Sequence, residues 1–348
     1  MTSSKGTILV TGANGGLGSA IAQQIASQPE LAAYYGIYTV RDATIASALT
    51  TVLQGASQHS YDVLSLDLTD LDSVRQTALA VNERVSAGEI PPIRALILNA
   101  GFQDFGKQAW TKDGLDQTFS ANYLGHWLLT LLLLKSLDKE SGRIVILGSQ
   151  NHDPYDTRND ASGSWAGEHE KHKTVIHDEA DLEAIAKGTW SSAKEDPSWH
   201  SGARRYGAAK LFLVMLIHEL QRRLDRDPAL SNISVLGVDP GAMSTGMPRL
   251  ASWFIRVLLF QIIFPIVAYL APNGPIRTTQ KSASHVLQAA FDSGPALGEF
   301  PKDRYLDGTE PRETSAESRD PQKRDLVWKT SVHLAQLKEG ETALVNWQ

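Results

Sequence analysis

The run Thr11-Gly12-Ala13-Asn14-Gly15-Gly16-Leu17-Gly18 constrains this chain more than any other feature, because of what flanks it. The apolar stretch Ile8–Thr11 reads as a strand, and a helical pattern follows from Leu17 to about Gln28. A glycine-rich turn between a strand and a helix collects backbone N–H groups and the positive end of a helix dipole at one point, which suits a pyrophosphate. In such a turn Gly12 permits the tight reversal, Gly16 lets the backbone approach a phosphate and Gly18 lets helix and strand pack closely.

The same alternation continues along the chain. Ile37–Val40, Val63–Leu66, Ala95–Leu98, Arg143–Leu147 and Ser234–Val238 read as further strands, and Thr44–Leu53, a segment opening near Asp70, Leu115–Leu134 and Tyr206–Arg223 read as helices. The strand runs are apolar without alternation, as expected where helices cover both faces of a parallel sheet. The predicted fold is therefore α/β, a three-layer α/β/α Rossmann fold with a central parallel sheet, in a single domain over residues 1–348. Residues 151–205 break the rhythm as a long polar insertion before Tyr206, holding five of the ten histidines, the aromatic patches around Tyr155, Trp165, Trp190 and Trp199, and one helix near His177–Ala186. Residues 246–300 are expected to supply a pocket lid and a returning helix and strand. Residues 301–348 form an extension, polar from Pro301 to Arg324, with a last helix near Asp325–Leu337.

Composition removes whole classes of function. No cysteine is present, which excludes disulfides, thiolate metal sites and a cysteine nucleophile. A net charge of −6 without a basic block argues against a nucleic-acid partner. His169 and His172, three apart beside Glu168 and Glu170, raise a metal site, but a polar lobe without metal is the expectation. Residues Trp253–Ala271 are almost wholly apolar apart from Arg256, Gln261 and Pro265. They read as a helix pair over a pocket, with peripheral membrane contact as an alternative and a true span disfavoured by the ionisable residue. The location expected is cytoplasmic, with or without membrane association. Oligomeric state is left open between monomer and homodimer.

Tyr206 and Lys210 lie four residues apart, so on a helix they share a face. An ammonium beside a phenol stabilises the tyrosinate and is expected to lower its pKa towards the working range of a proton-transfer group. Ser149 offers a hydroxyl to a substrate oxygen. Because 151–205 separates it from Tyr206, their meeting requires the insertion to loop out, and Gln150 or Asn151 would serve if the register is displaced. Arg41 follows the second strand, which ends at Val40, and an arginine can take a phosphate in bidentate fashion; Asp42 beside it blurs that reading. Phe102, Phe105, Trp110 and Trp127 with the 253–271 segment suggest a roomy apolar pocket.

Taken in order, the glycine turn, Asp67, Asn99-Ala100-Gly101, Asn122, Ser149, Tyr206-x-x-x-Lys210, Pro240-Gly241 and Thr245 resemble the short-chain dehydrogenase/reductase family over residues 6 to 246, and the branch that contains retinol dehydrogenases and protochlorophyllide reductases. The resemblance implies a catalytic set of Asn122, Ser149, Tyr206 and Lys210. In it Lys210 also contacts the nicotinamide ribose and Asn122 holds a proton-relay water. It implies a cofactor-binding set of Gly12, Asn14, Gly15, Gly16, Leu17, Gly18, Arg41, Asp67, Leu68, Asn99, Ala100, Gly101, Tyr206, Lys210, Pro240, Gly241 and Thr245, with Asp67 on the adenine, no metal, and NADP(H) ahead of NAD(H). The expected activity is an NADPH-dependent oxidoreductase, a ketoreductase of secondary metabolism that reduces a carbonyl, or oxidises the alcohol, of a bulky lipophilic small molecule such as a polyketide, terpenoid, steroid or retinoid. Reduction of a C=C bond, a non-redox cyclisation or epimerisation, and a cofactor-binding scaffold are the alternatives.

Overall fold

A computed structural model describes residues 4–245, 247–251, 253, 257, 262–271, 274–295 and 297–348. Eight strands build one sheet in the order β3-β2-β1-β4-β5-β6-β7-β8. They are β1 Thr7–Thr11, β2 Tyr35–Val40, β3 Tyr61–Ser65, β4 Ile93–Leu98, β5 Arg143–Leu147, β6 Ser234–Asp239, β7 Arg304–Asp307 and β8 Glu310–Pro311. All neighbouring strands run parallel except β7 and β8. The strand order reverses between β1 and β4. In open α/β sheets the crevice at that reversal, beyond the carboxyl ends of the strands, is where ligands bind.

The central strands are buried on both faces: β1 and β5 expose no residue. One core lies under helices Leu71–Ser86, Gly125–Leu133, Trp199–Leu224 and Pro321–Ala335, the other under Gly16–Ser27, Ser47–Leu53 and Thr279–Phe291. Several helices start where a side-chain oxygen takes an unpaired amide. Asp70 accepts from Asp72 N, Ser198 from His200 N, and Asp320 from Gln322 N ahead of Pro321 at the first helical position.

Three sequence expectations shift. The helix bearing Tyr206 begins at Trp199, inside the stretch read as insertion, because Ser198 caps it there. The stretch Leu115–Leu134 contains a π-helical turn over Ser120–Leu124, within which Asn122 sits. The segment read as polar after Pro301 contains β7, whose four residues bury Tyr305 and Leu306 between charged ends. No long apolar run marked β7; its place is set by pairing with β6, Gly237 opposite Tyr305.

The last helix covers the outer face of the helices that carry Asn122 and Tyr206. Tyr123 Oη lies 2.7 Å from Ser331 Oγ, the Trp127 and Trp328 rings meet edge to face at 5.3 Å, and Arg223 lies 4.3 Å over the Trp328 ring. Trp127 is thus a core residue, a correction to its assignment to the pocket. Trp110 is also outside the pocket: half exposed, it donates to Lys187 O at 2.9 Å. Part of the 253–271 segment lies outside the described residues. Of those described, Trp253, Ile262, Ile263, Ile266, Tyr269 and Leu270 are exposed. Among the described residues no helix is long and apolar enough to cross a membrane.

Candidate active site

The glycine turn is held by contacts that leave no room for side chains. Gly12 has φ +66°, and a Cβ there would fall 2.7 Å from Ala100 Cα. A Cβ on Gly18 would meet the Gly12 carbonyl oxygen and lie 2.8 Å from Asn99 Nδ2, so helix and strand approach as closely as the spacing predicts. Thr11 joins the turn to β4: its Oγ1 accepts from Asn99 N at 2.9 Å and Ala100 N at 3.0 Å, while Asn99 Nδ2 donates to Thr11 O at 2.8 Å. No side chain caps the helix that opens at Gly16. Its first amides are of the kind an anion satisfies.

A cavity of about 690 Å³ lies over this turn. Arg41, Asp42, Asp67 and Leu68 stand in one part of its wall, Asn14 to Gly18 and Asn99 to Phe102 in another, and Leu147, Gly148, Tyr206, Lys210, Pro240, Met243, Thr245 and Arg249 in a third. Every expected cofactor residue lines it except Gly241, whose φ of +77° instead brings it against Pro275 O. Of the aromatics assigned to a pocket, Phe102 alone lines it.

Asn122 lies behind the wall. Its Nδ2 donates to Phe102 O at 2.9 Å and Thr118 O at 2.7 Å, and its Oδ1 accepts from Phe102 N at 3.0 Å. The side chain therefore clamps the Asn99–Phe102 loop, and a Cβ on Gly101 would sit 2.7 Å from its Oδ1. A π turn frees carbonyls from the regular ladder, and such turns recur at functional sites.

Ser149 and Tyr206 meet. The insertion loops out, and the serine hydroxyl comes close enough to the phenol to pull its pKa downward. Ser149 also accepts from Asn151 N at 3.3 Å, while Gln150 turns away to donate to Asn159 Oδ1 at 3.2 Å. Arg205, next to Tyr206, donates to Asp104 at 2.7 Å, and Arg204 to Asp196 at 2.6 Å. The first pair is buried and the second half-buried, and together they tie the start of the helix to its surroundings. His172 in the insertion lies edge-on to Trp190 at 4.8 Å, with its Nε2 3.1 Å from Trp190 O.

The electrostatics differ from the sequence expectation in one respect. Burial pushes the Tyr206 phenol well above its ordinary value, against the lowering pull of the Ser149 hydrogen bond. Lys210 Nζ donates to Leu147 O at 2.7 Å and lies 5.5 Å from the centre of the phenol ring. Burial brings Lys210 itself down to about 8. The phenol thus rests protonated, the state that donates a proton in a reduction.

Two arginines line the cavity, Arg41 and Arg249. Arg41 was legible from its position after β2. Arg249 was not, because it follows a stretch with no motif beyond Thr245. Its guanidinium lies 5.8 Å over the Phe102 ring, and burial and then the Arg41 charge lower its pKa. Asp42 is committed elsewhere: its Oδ1 accepts from Thr44 N at 2.9 Å and Thr44 Oγ1 at 2.6 Å.

The short chain dehydrogenase family model matches residues 6–159. A short-chain dehydrogenase of Talaromyces variabilis is 44% identical over 99% of this chain and 99% of its own length. Protochlorophyllide reductase B of Oryza sativa subsp. japonica is 28% identical over 96% of this chain and 78% of its own. The NADPH-bound carbonyl reductase from chicken fatty liver shares the fold, with a TM-score of 0.57 and 18% identity over 89% of this chain and 99% of that one. With a full-length relative at that identity, the chain belongs to the short-chain dehydrogenase/reductase family and is an oxidoreductase of that family.

Proposed function

We propose that this protein reduces a carbonyl of a bulky, largely apolar small molecule with NADPH. The observation that carries the reading is that Tyr206 and Lys210 stand on one wall of the cavity whose floor is the glycine turn, with Ser149 beside the phenol. The cofactor supplies a hydride to the carbonyl carbon; the protein's residues handle the oxygen. Ser149 donates a hydrogen bond to that oxygen and holds it against Tyr206. Tyr206, kept protonated by burial, gives its proton to the developing alkoxide, and the Lys210 ammonium stabilises the tyrosinate left behind. Asn122 acts by fixing the Asn99–Phe102 loop of the cavity wall rather than by its own side chain meeting substrate.

NADP(H) rather than NAD(H) is supported by the pairing of Arg41 with Arg249 on one cavity, while Asp42 spends its carboxylate on Thr44. No carboxylate among the described residues forms an ion pair with either arginine, which leaves both for a phosphate. The apolar preference is supported by Leu66, Phe102 and Met243 in the wall and by the apolar stretch that follows Thr245. Incubation of the purified protein with NADPH and a panel of lipophilic ketones and enones, followed by absorbance loss and product mass, tests the reading. Turnover of bulky ketones to alcohols is expected. Activity confined to small charged keto acids would overturn the substrate class, and a saturated product with its carbonyl intact would move the hydride to a C=C bond.

A further inference from the structure

Ser149 is held from both sides by segments that lie outside the compact first half of the fold. On one side, Tyr305 of β7 brings its phenol oxygen to the Ser149 amide, which donates to it at 3.1 Å. On the other, His152 of the insertion places Nδ1 2.7 Å from Ser149 O. The Ser315 amide donates to His152 Nε2 at 3.2 Å, so Nε2 is an acceptor and the proton sits on Nδ1, which therefore donates to the serine carbonyl. Burial lowers the His152 pKa, in keeping with a neutral ring. The two holding rings touch each other, 5.1 Å between centroids.

The bracket is built tightly. Gly148, next to Ser149, has no room for a Cβ because the Tyr305 hydroxyl occupies that place. On β6, a Cβ at Gly237 would fall 2.6 Å from Tyr305 Cδ2. Arg158 of the insertion then ties the ends of these strands together, lying 2.9 Å from Asp307, 2.7 Å from Asp156 and 3.5 Å from Asp239. Tyr305 and His152 are both buried, and each turns its polar atom to the Ser149 backbone.

We propose that Tyr305 and His152 are positioning residues that fix both backbone groups of Ser149, and so set its hydroxyl against Tyr206. The C-terminal strand is on this account a working part of the active site, and the inference rests on the catalytic roles proposed above for Ser149 and Tyr206. Removing the Tyr305 hydroxyl keeps the ring packing and leaves the Ser149 amide without its acceptor. The serine hydroxyl then loses its register with the phenol, and the pull that Ser149 exerts on the Tyr206 pKa is lost with it.

The test is a double-mutant cycle in the full-length protein, with phenanthrenequinone as the ketone and NADPH binding read by fluorescence titration. Tyr305→Phe should lower kcat about 10- to 100-fold, with NADPH affinity within about twofold of the parent. In the alcohol-oxidising direction the rise of rate with pH should move to higher pH. Tyr305→Phe combined with Ser149→Ala should be no slower than Ser149→Ala alone. His152→Gln runs the same cycle from the other side and decides the matter if Tyr305→Phe does not bind NADPH. Unchanged kcat in both single variants, or losses that multiply with that of Ser149→Ala, would overturn the proposal. A Ser149→Ala protein as fast as the parent would instead sink the catalytic reading beneath it.

Discussion

Trp165 of the insertion packs on the backbone of Gly207, the residue after Tyr206, so closely that a Cβ on Gly207 would lie 2.8 Å from Trp165 Cζ2 and 2.7 Å from Asn151 O. A long polar excursion separates Ser149 from Tyr206 in sequence, and this glycine is where the excursion closes back on the helix. Gly207→Ala should force Trp165 and the Asn151 backbone outward. Overpacking of this kind costs about 1–3 kcal/mol. Thermal unfolding should show the loss, and kcat should fall with it because Asn151 N also bonds the Ser149 hydroxyl. A Gly207→Ala protein with unchanged Tm and kcat would contradict the tight closure.

Tyr206→Phe removes the proton donor and leaves the ring. General acid catalysis of this type contributes about 10²–10⁴-fold, so kcat should fall by that factor. NADPH affinity should be unchanged when measured by direct titration.

The two arginines of the cavity predict a divided effect. Arg41→Gln and Arg249→Gln should each weaken NADPH binding by about 10- to 100-fold, the loss expected for a charged hydrogen bond of about 1.5–3 kcal/mol. NADH binding should change far less in Arg41→Gln. Equal losses for the two cofactors in Arg41→Gln would remove the case for a 2′-phosphate contact.

Lys210 makes the active site sensitive to pH. Its pKa in the folded protein, about 8, is depressed from 10.5 by burial. The buried cation therefore costs stability below about pH 8, and the cost disappears as pH rises through the unfolded value, because between the two values the unfolded chain binds the extra proton. Lys210→Met should accordingly raise stability at pH 7 and leave it nearly unchanged above pH 10.5, a difference that denaturant titration at the two pH values would show. Reduction by the parent protein should slow as pH rises through about 8, when the ammonium that stabilises the tyrosinate is lost. A flat stability difference across this range would contradict the buried charge.

Much of the fold was legible because its signals are local. The glycine turn needs its residues at fixed spacing, and the strands buried on both faces read as unbroken apolar runs. Tyr206 and Lys210 were legible for the same reason, since helical spacing alone puts them on one face. What escaped depends on contacts between distant parts of the chain. β7 is four residues with charged ends, and only its place beside β6 makes a strand of it. Tyr305 and His152 carry no motif, yet Gly148 and Gly207 were signals of close approach that the sequence displayed without showing what approached. Trp127 was assigned to a pocket on its aromatic character, whereas its partner Trp328 comes from the last helix. Burial, which pushes the Tyr206 phenol upward, cannot be read from the spacing that puts Lys210 on the same helix face.

Hydride transfer from NADPH with Tyr206 as the proton donor can be followed by deuterium labelling. NADPH deuterated at the transferring carbon should be incubated with a bulky ketone turned over by the protein, and the alcohol examined by mass spectrometry and NMR. The account predicts one deuterium on the carbinol carbon with the parent protein and a fall of about 10²–10⁴-fold in its rate of appearance with Tyr206→Phe. An unlabelled product, or labelling undiminished in Tyr206→Phe, would contradict it.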